Sequence, residues 1–144
     1  MEIDVEDVYF RLLLSEVGSL KVCEEGGLVR YKLEHNGTVF SVRRVRVVGR
    51  VEEVSVRGRL TECVITDGNH SVQLRAWAEG RNLLAQLKPG DLVEVLGKLR
   101  VYGGDVYVLP IILRTVPPTK LEEHYKRVEM DRAAVIRYRG EGDA

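Results

Sequence analysis

Between residues 43 and 116 apolar and polar side chains alternate with the period of two that marks strands buried on one face. Val45, Val47, Gly49 and Val51 alternate with Arg44, Arg46, Val48 and Arg50. Gly49 sits inside this long first run, where it predicts a bend that a side chain would obstruct. Arg57-Gly58-Arg59 supplies a turn into a second run, Leu60–Thr66, and Asp67-Gly68 turns the chain into a third, His70–Ala78. Residues 80–87 read as a short helix plugging one end of the sheet, stopped by Pro89-Gly90-Asp91. A fourth run, Leu92–Val101, and a fifth, Asp105–Ile112, are joined by Gly103-Gly104, and Pro117-Pro118 closes the pattern.

Five β-rich runs with one helical insert between the third and fourth follow the order of an OB barrel, whose second and third strands and two flanking loops bind oligonucleotides or oligosaccharides. The predicted fold class is an all-β core, a five-stranded OB-fold barrel over residues 43–116. An N-terminal helix and hairpin (1–42) and a C-terminal amphipathic helix (117–144) extend it. Residues 5–17 carry a wide apolar stripe and predict a helix, capped by Asp4 with Asp7 three residues on. Residues 28–42 predict a strand pair around the hairpin signal Asn36-Gly37. After the prolines, Thr119 and Glu122 have the spacing of a capping box. Leu121, Tyr125, Val128, Arg132 and Val135 then recur at helical spacing, with Met130, Ala133, Ala134 and Ile136 broadening the face. That face either meets a partner or packs back on the barrel. Residues 140–144 are expected to fray.

Charge changes this picture in one respect. The formal net charge is zero, with 22 basic and 22 acidic residues, which argues against a strongly basic nucleic-acid binder. The distribution is uneven: residues 1–42 hold four Lys/Arg against eight Asp/Glu, residues 43–116 twelve against eight, and residues 117–144 six of each. The barrel is the basic part, and its excess predicts moderate, salt-sensitive binding. There is no run of eighteen apolar residues, and the acidic N-terminus lacks the basic region of a signal peptide. The expected location is cytoplasmic, with the nucleoid. Cys23 and Cys63 are too few and too far apart for a disulfide scaffold or a zinc site, and Cys63 fits a small buried hydrophobe.

The third run places Val72, Leu74 and Ala76 toward the core and Gln73, Arg75 and Trp77 on the outer face. An amide, a guanidinium and an indole two residues apart suit a single strand, whose bases stack on rings for about 1–3 kcal/mol each. In the fourth run Val93, Val95, Gly97 and Leu99 face inward, while Glu94, Leu96, Lys98, Arg100 and Tyr102 face outward. Tyr102 opens the turn to the fifth run, beside two glycines. Arg57 and Arg59 flank the first turn within reach of phosphates. Tyr107 shares the outer parity and is expected to pack against an extension. Arg44, Arg46 and Arg50 are expected to lie partly under the N-terminal hairpin. His35, His70 and His124 have no cysteine or carboxylate at metal-ligand spacing, and no phosphate loop or nucleophile elbow is present. The expectation is a binding protein, not an enzyme, with no cofactor and no metal.

Residues VRVVGRV at 45–51, ITDG at 65–68, VQLRAW at 72–77, GDLVEVLGKLR at 90–100 and VYGGDVYVLP at 101–110 resemble the OB domain of the middle subunit of replication protein A and related archaeal single-strand-binding and accessory proteins. The resemblance covers about half the chain. It implies single-stranded DNA binding in replication, recombination or repair, with stacking on Trp77 and Tyr102. It also implies a heteromer in which residues 119–138, through Leu121, Tyr125, Val128 and Val135, join a larger OB-fold subunit. The N-terminal extension looks like the archaeal accessory branch. Unlike the better-known middle subunit, this chain is expected to work without a Ser/Gly-rich tail and without recruiting repair factors through a winged-helix domain. Three other readings stay open: an assembly subunit with little DNA binding of its own, a telomere-capping relative, and an RNA-binding OB module.

Overall fold

The computed structural model describes residues 1–77 and 81–140, without the side chains of residues 81 and 82. Its centre is a closed five-stranded sheet. Strand β6 (Arg44–Arg57) is 14 residues long and serves two neighbours. Its first half pairs antiparallel with β9 (Leu92–Tyr102), from Arg44↔Lys98 to Arg50↔Leu92. Its second half pairs antiparallel with β7 (Leu60–Thr66), from Arg50↔Thr66 to Arg57↔Leu60. Strand β7 pairs with β8 (Ser71–Trp77), which meets β10 (Asp105–Thr115) in parallel, and β10 returns along β9 to close the ring. The second and third strands predicted from the alternation match these to within a residue.

Two glycines let the ring close. Arg50 is the residue shared by both halves of β6, and Gly49 precedes it. A Cβ on Gly49 would stand 3.0 Å from Leu14 Cδ1 and 3.1 Å from Ile65 Cβ. On β9, a Cβ on Gly97 would stand 2.5 Å from the Leu109 carbonyl oxygen of β10, a backbone contact that cannot swing aside. The interior is filled by inward residues of all five strands, among them Val45, Val47, Ile65, Leu74, Leu99 and Val108, each fully buried. Fully burying side chains of this size is worth about 1.5–3 kcal/mol apiece. Helix α2 (Arg81–Ala85) adds Leu84 to the same core, as expected for the insert, although part of the predicted 80–87 segment lies outside the described residues.

The N-terminal segment departs from expectation. Residues 5–17 do not form one helix: β1 (Glu2–Asp4) and β2 (Tyr9–Arg11) are strands, and only α1 (Leu14–Ser19) is helical. Strand β2 lies parallel to β6, with Phe10 opposite Val45. The apolar residues are buried from several sides, so a broad stripe carried no helical information. Asp4 accepts a hydrogen bond from the Glu6 N–H (2.8 Å) in a turn rather than at a helix start. Glu16 caps α1 instead, accepting the Leu13 N–H at 2.8 Å. The predicted hairpin is present as β4 (Leu28–His35) and β5 (Thr38–Val42), antiparallel, turning through Asn36 and Gly37 at φ 50° and 80°. An unpredicted strand β3 (Lys21–Glu25) pairs with β4 across Gly26-Gly27, completing a sheet ordered β1-β5-β4-β3.

Helix α3 (Thr119–Val135) runs into a π-helical turn at Ile136–Gly140. The capping box of Thr119 and Glu122 is not formed. The helix starts at Pro118 through a tight turn, in which the Lys120 and Leu121 N–H groups donate to the Pro117 and Pro118 carbonyls at 2.9 and 3.1 Å, so Thr119 is already inside. Of the residues expected to fray, 141–144 lie outside the described residues. The helix packs back on its own chain through buried His124, Val128 and Arg132. Arg132 reaches Glu16 (2.6 and 2.7 Å) and the Arg11 carbonyl (3.2 Å). Arg11 in turn pairs with Asp131 (3.0 Å) and donates to His124 Nδ1 (3.2 Å), leaving Nε2–H to donate to the Leu12 carbonyl (3.0 Å). Glu94, expected to face solvent, faces outward but is buried. Arg46 reaches it at 3.0 Å, and Arg114 grips it at 2.9 and 2.6 Å. Burial raises its carboxyl, and the two arginine hydrogen bonds outweigh that and hold it below the ordinary glutamate value.

Candidate nucleic-acid interface

Alternation along β8 sends Val72, Leu74 and Ala76 inward and Gln73, Arg75 and Trp77 outward, as the sequence predicted. What lies beside them is decided by β10, which pairs with β8 and carries Tyr107 on the same outer face. Trp77 and Tyr107 have ring centroids 5.9 Å apart, tilted by 59°. The Arg75 guanidinium sits 5.1 Å from the Tyr107 ring and 5.5 Å from the Tyr102 ring, within cation–π distance of two rings. Trp77 is 44% exposed and Tyr102 is 69% exposed, while Tyr107 is buried beneath them. The two exposed rings therefore stand on a floor made of Tyr107 and Arg75.

The cations divide into used and unused. Arg57 is held by Glu62 at 2.9 Å. Arg59 lies exposed in the β6–β7 turn, which the pairing Leu60↔Trp77 places beside the indole. Arg100 is the cross-strand neighbour of Tyr107, and Lys98 lies one step further along β9. Arg46 and Arg50 are engaged elsewhere, while Arg44 makes a ring contact that leaves its Nε without an acceptor among the described residues. Arg44 lies 5.9 Å from the Tyr9 ring, Arg46 binds Glu94, and Arg50 donates to the Gly90 carbonyl at 2.6 Å. Strand β2 of the N-terminal extension runs alongside both Arg44 and Arg46, and the hairpin faces Arg44 across a cleft.

Two features of the face escaped the sequence reading. Gln73 donates to Glu62 at 3.3 Å and accepts from Arg75 Nε at 3.1 Å, so its amide positions the guanidinium. Glu62 stands opposite Arg75 in the β7–β8 register, and that cross-strand pairing was the signal available for it. Tyr107, expected to pack against an extension, meets Trp77 and Arg75 of the closed sheet itself, and it also lies near Tyr31 of the hairpin. Tyr31 of the hairpin is buried as well, and that burial pushes its phenol above the usual value, against the nearby charge of Arg100. No cluster of three or more His, Cys, Asp or Glu able to hold a metal exists among the described residues. Cys63 is fully buried and its thiol is pushed up to about 11 by that burial, as suits a core residue. Exposed rings, a sandwiched guanidinium and cations without a carboxylate partner among the described residues can stack flat groups and hold phosphates.

The residues expected to bind a partner fall on different sides of α3. Val128 is buried against this chain and Val135 packs on its core. Leu121 lines a small cavity with Gly49 and Leu92. Only Tyr125, 44% exposed, faces out.

Residues 45–112 match the OB-fold nucleic acid binding domain, a span that holds all but the outer ends of the closed sheet and every residue of the aromatic face. An uncharacterized 18.7 kDa protein in the ribosomal RNA operon of Thermofilum pendens is 38% identical over 131 residues, covering 88% of this chain and 75% of that protein. The chain belongs to that protein's family. An uncharacterized protein of Methanocaldococcus jannaschii is 36% identical over 73 residues, 51% of this chain and 29% of that one. Among solved structures, the Stn1–Ten1 complex of S. pombe superposes with a TM-score of 0.72 at 12% identity, covering 90% of this chain and 95% of that one. A replication protein A heterotrimer bound to ssDNA gives 0.68 at 15% identity over 86% and 98%. Yeast replication protein A bound to ssDNA gives 0.67 at 18% identity over 90% and 92%. At these identities the likeness establishes a shared fold, and it extends past the closed sheet to the added elements.

Proposed function

We propose that this protein is a single-stranded DNA-binding subunit of a replication protein A-like heteromeric complex serving replication, recombination or repair. The observation that supports this most is the face on which Trp77 and Tyr102 stand exposed over Tyr107 with Arg75 between rings. Bases stack on Trp77 and Tyr102, while Arg75, Lys98, Arg100 and Arg59 meet the backbone phosphates. Stacking on such rings is sequence-tolerant because every base has a π-face. Fluorescence anisotropy of labelled oligo-dT, titrated at low and moderate salt with Trp77→Ala alongside, tests the reading. Salt-sensitive binding that weakens in the folded variant supports it, and binding unchanged by Trp77→Ala overturns it. An oligo-U competitor of equal length separates DNA from RNA preference.

A second reading, an assembly subunit with little DNA binding of its own, is favoured by one observation. Met130, Ala134 and Tyr138 recur every four residues on the outer side of α3 and its last turn, with Met130 65% and Tyr138 77% exposed. We propose this stripe, rather than the buried Val128 face, as the contact to a larger OB-fold subunit. Met130→Glu is expected to abolish partner capture while leaving oligo-dT binding by the isolated protein unchanged.

A further inference from the structure

The aromatic face does not end at Tyr107. Arg100 stands directly across from Tyr107 on β9, and Lys98 stands across from Arg44 on β6. These cations lead into a cleft of about 370 Å³ between the β3–β4 hairpin and strands β6 and β9. That is within the size range of pockets that hold small organic groups, about 300–1,000 Å³. Its barrel wall carries Arg44, Lys98 and Arg100, and its hairpin wall carries Leu28, Val29 and Tyr31.

Three properties mark the cleft as built for a ligand with an anionic part and a flat part. Among the described residues, Lys98 and Arg100 have no carboxylate partner, unlike the arginines around Glu94 and Glu16. Arg44 Nε is buried with no acceptor, a donor left unpaired at a cost of about 1–3 kcal/mol when nothing fills its place. On the opposite wall Leu28 and Val29 are 49% and 46% exposed, apolar surface beside a row of cations. A solvated strand tip would carry neither. We infer that this cleft is a second contact site for the same single strand, taking one nucleotide, its phosphate on Arg44, Lys98 and Arg100 and its base against Leu28 and Val29. The N-terminal hairpin thus lengthens the binding groove. This rests on the single-strand reading above.

The test uses the full chain and two labelled oligo-dT lengths, about 4 and about 12 nucleotides, which bracket the site sizes of OB folds. Wild type is expected to bind the longer one about tenfold more tightly. The double variant Leu28→Ser, Val29→Ser changes only exposed positions and adds no charge beside Lys98 and Arg100, which the main site also uses. It is expected to lose most of that gain and to bind the short oligomer as wild type does. Arg44→Gln is expected to lower the slope of log K against log salt by about 0.7 on the longer oligomer alone, the value for one phosphate of a single strand. Trp77→Ala is expected to weaken both lengths. If Trp77→Ala weakens both while the hairpin variant keeps the full length gain, the cleft is not part of the groove and the main reading stands. If Trp77→Ala changes neither length, the aromatic face itself is wrong and this inference falls with it.

Discussion

Two sides of this molecule use the same residue, arginine, in opposite ways. On the side covered by β2 and α3, four guanidinium groups are matched to carboxylates: Arg132 to Glu16, Arg11 to Asp131, Arg46 and Arg114 to Glu94. On the side of β8, β9 and β10, Arg75 rests between tyrosine rings, and Arg100 has, among the described residues, a backbone carbonyl and no carboxylate. The first group is committed to holding extensions on the closed sheet. The second remains available to an outside anion. A net charge of zero is therefore a sum over two populations, and only the unmatched one bears on binding.

The sharpest way to break the matched side is Glu16→Gln, which leaves Arg132 buried with its charge uncompensated. A loss of about 3–5 kcal/mol is expected, read by urea denaturation, with any remaining folded protein still binding oligo-dT. The converse experiment on the open side is Trp77→Ala. Affinity is expected to fall by about 1–3 kcal/mol with the denaturation midpoint unchanged, because the indole is half exposed. An equal loss of stability would show that Trp77 belongs to the packing instead.

The pH dependence separates the two sides further. Burial holds the His124 imidazole below its ordinary value of 6.5; the bond to the Leu12 carbonyl opposes this and the charge of Arg11 adds to it. The folded state thus keeps the ring neutral while the unfolded chain takes up a proton. Stability is full above about pH 6.5 and falls as pH drops below it. Glu16 and Glu94 are held below their ordinary value of 4.5, so their contribution persists until pH falls through the acid range. Denaturation midpoints are expected to decline from about pH 6.5 toward pH 5 in wild type and to stay flatter in His124→Gln. The smallest expected effect is on the open side. Glu62→Gln removes the one carboxylate among the hydrogen bonds that hold Gln73 and Arg57, and is expected to tighten oligo-dT binding by about two- to fivefold at low salt. Weaker binding would mean that positioning Arg75 through Gln73 outweighs the charge.

The closed sheet was legible in the sequence because its strands are half-buried and its turns carry glycine. Leu60–Thr66 and the inward set Val72, Leu74 and Ala76 needed nothing beyond the period of two. The segment at 5–17 was misread because its burial comes from pairing with β6, more than thirty residues away, and local periodicity does not contain that partner. Glu94 shows the limit of parity. Alternation tells on which side of the sheet a residue lies, and correctly put Glu94 outside, but it cannot tell that β2 and α3 cover that side. The same rule succeeded for Trp77 because, among the described residues, nothing covers it fully. Within the candidate site, Trp77, Arg75 and Tyr102 came from their own strands, whereas Tyr107 and Glu62 acquire their roles through cross-strand register.

The bond between Glu16 and Arg132 joins residues 116 positions apart, and it has a consequence for synthesis. At about 5–20 residues per second, a ribosome needs roughly 6–23 seconds after making Glu16 before Arg132 exists. Through that interval Arg11 and Glu16 lack their partners on α3, and β2 has no strand β6 until residue 44 emerges. The N-terminal segment is thus the oldest part of the nascent chain and the last to find its place, which makes it the stretch most exposed to chaperones and to mispairing.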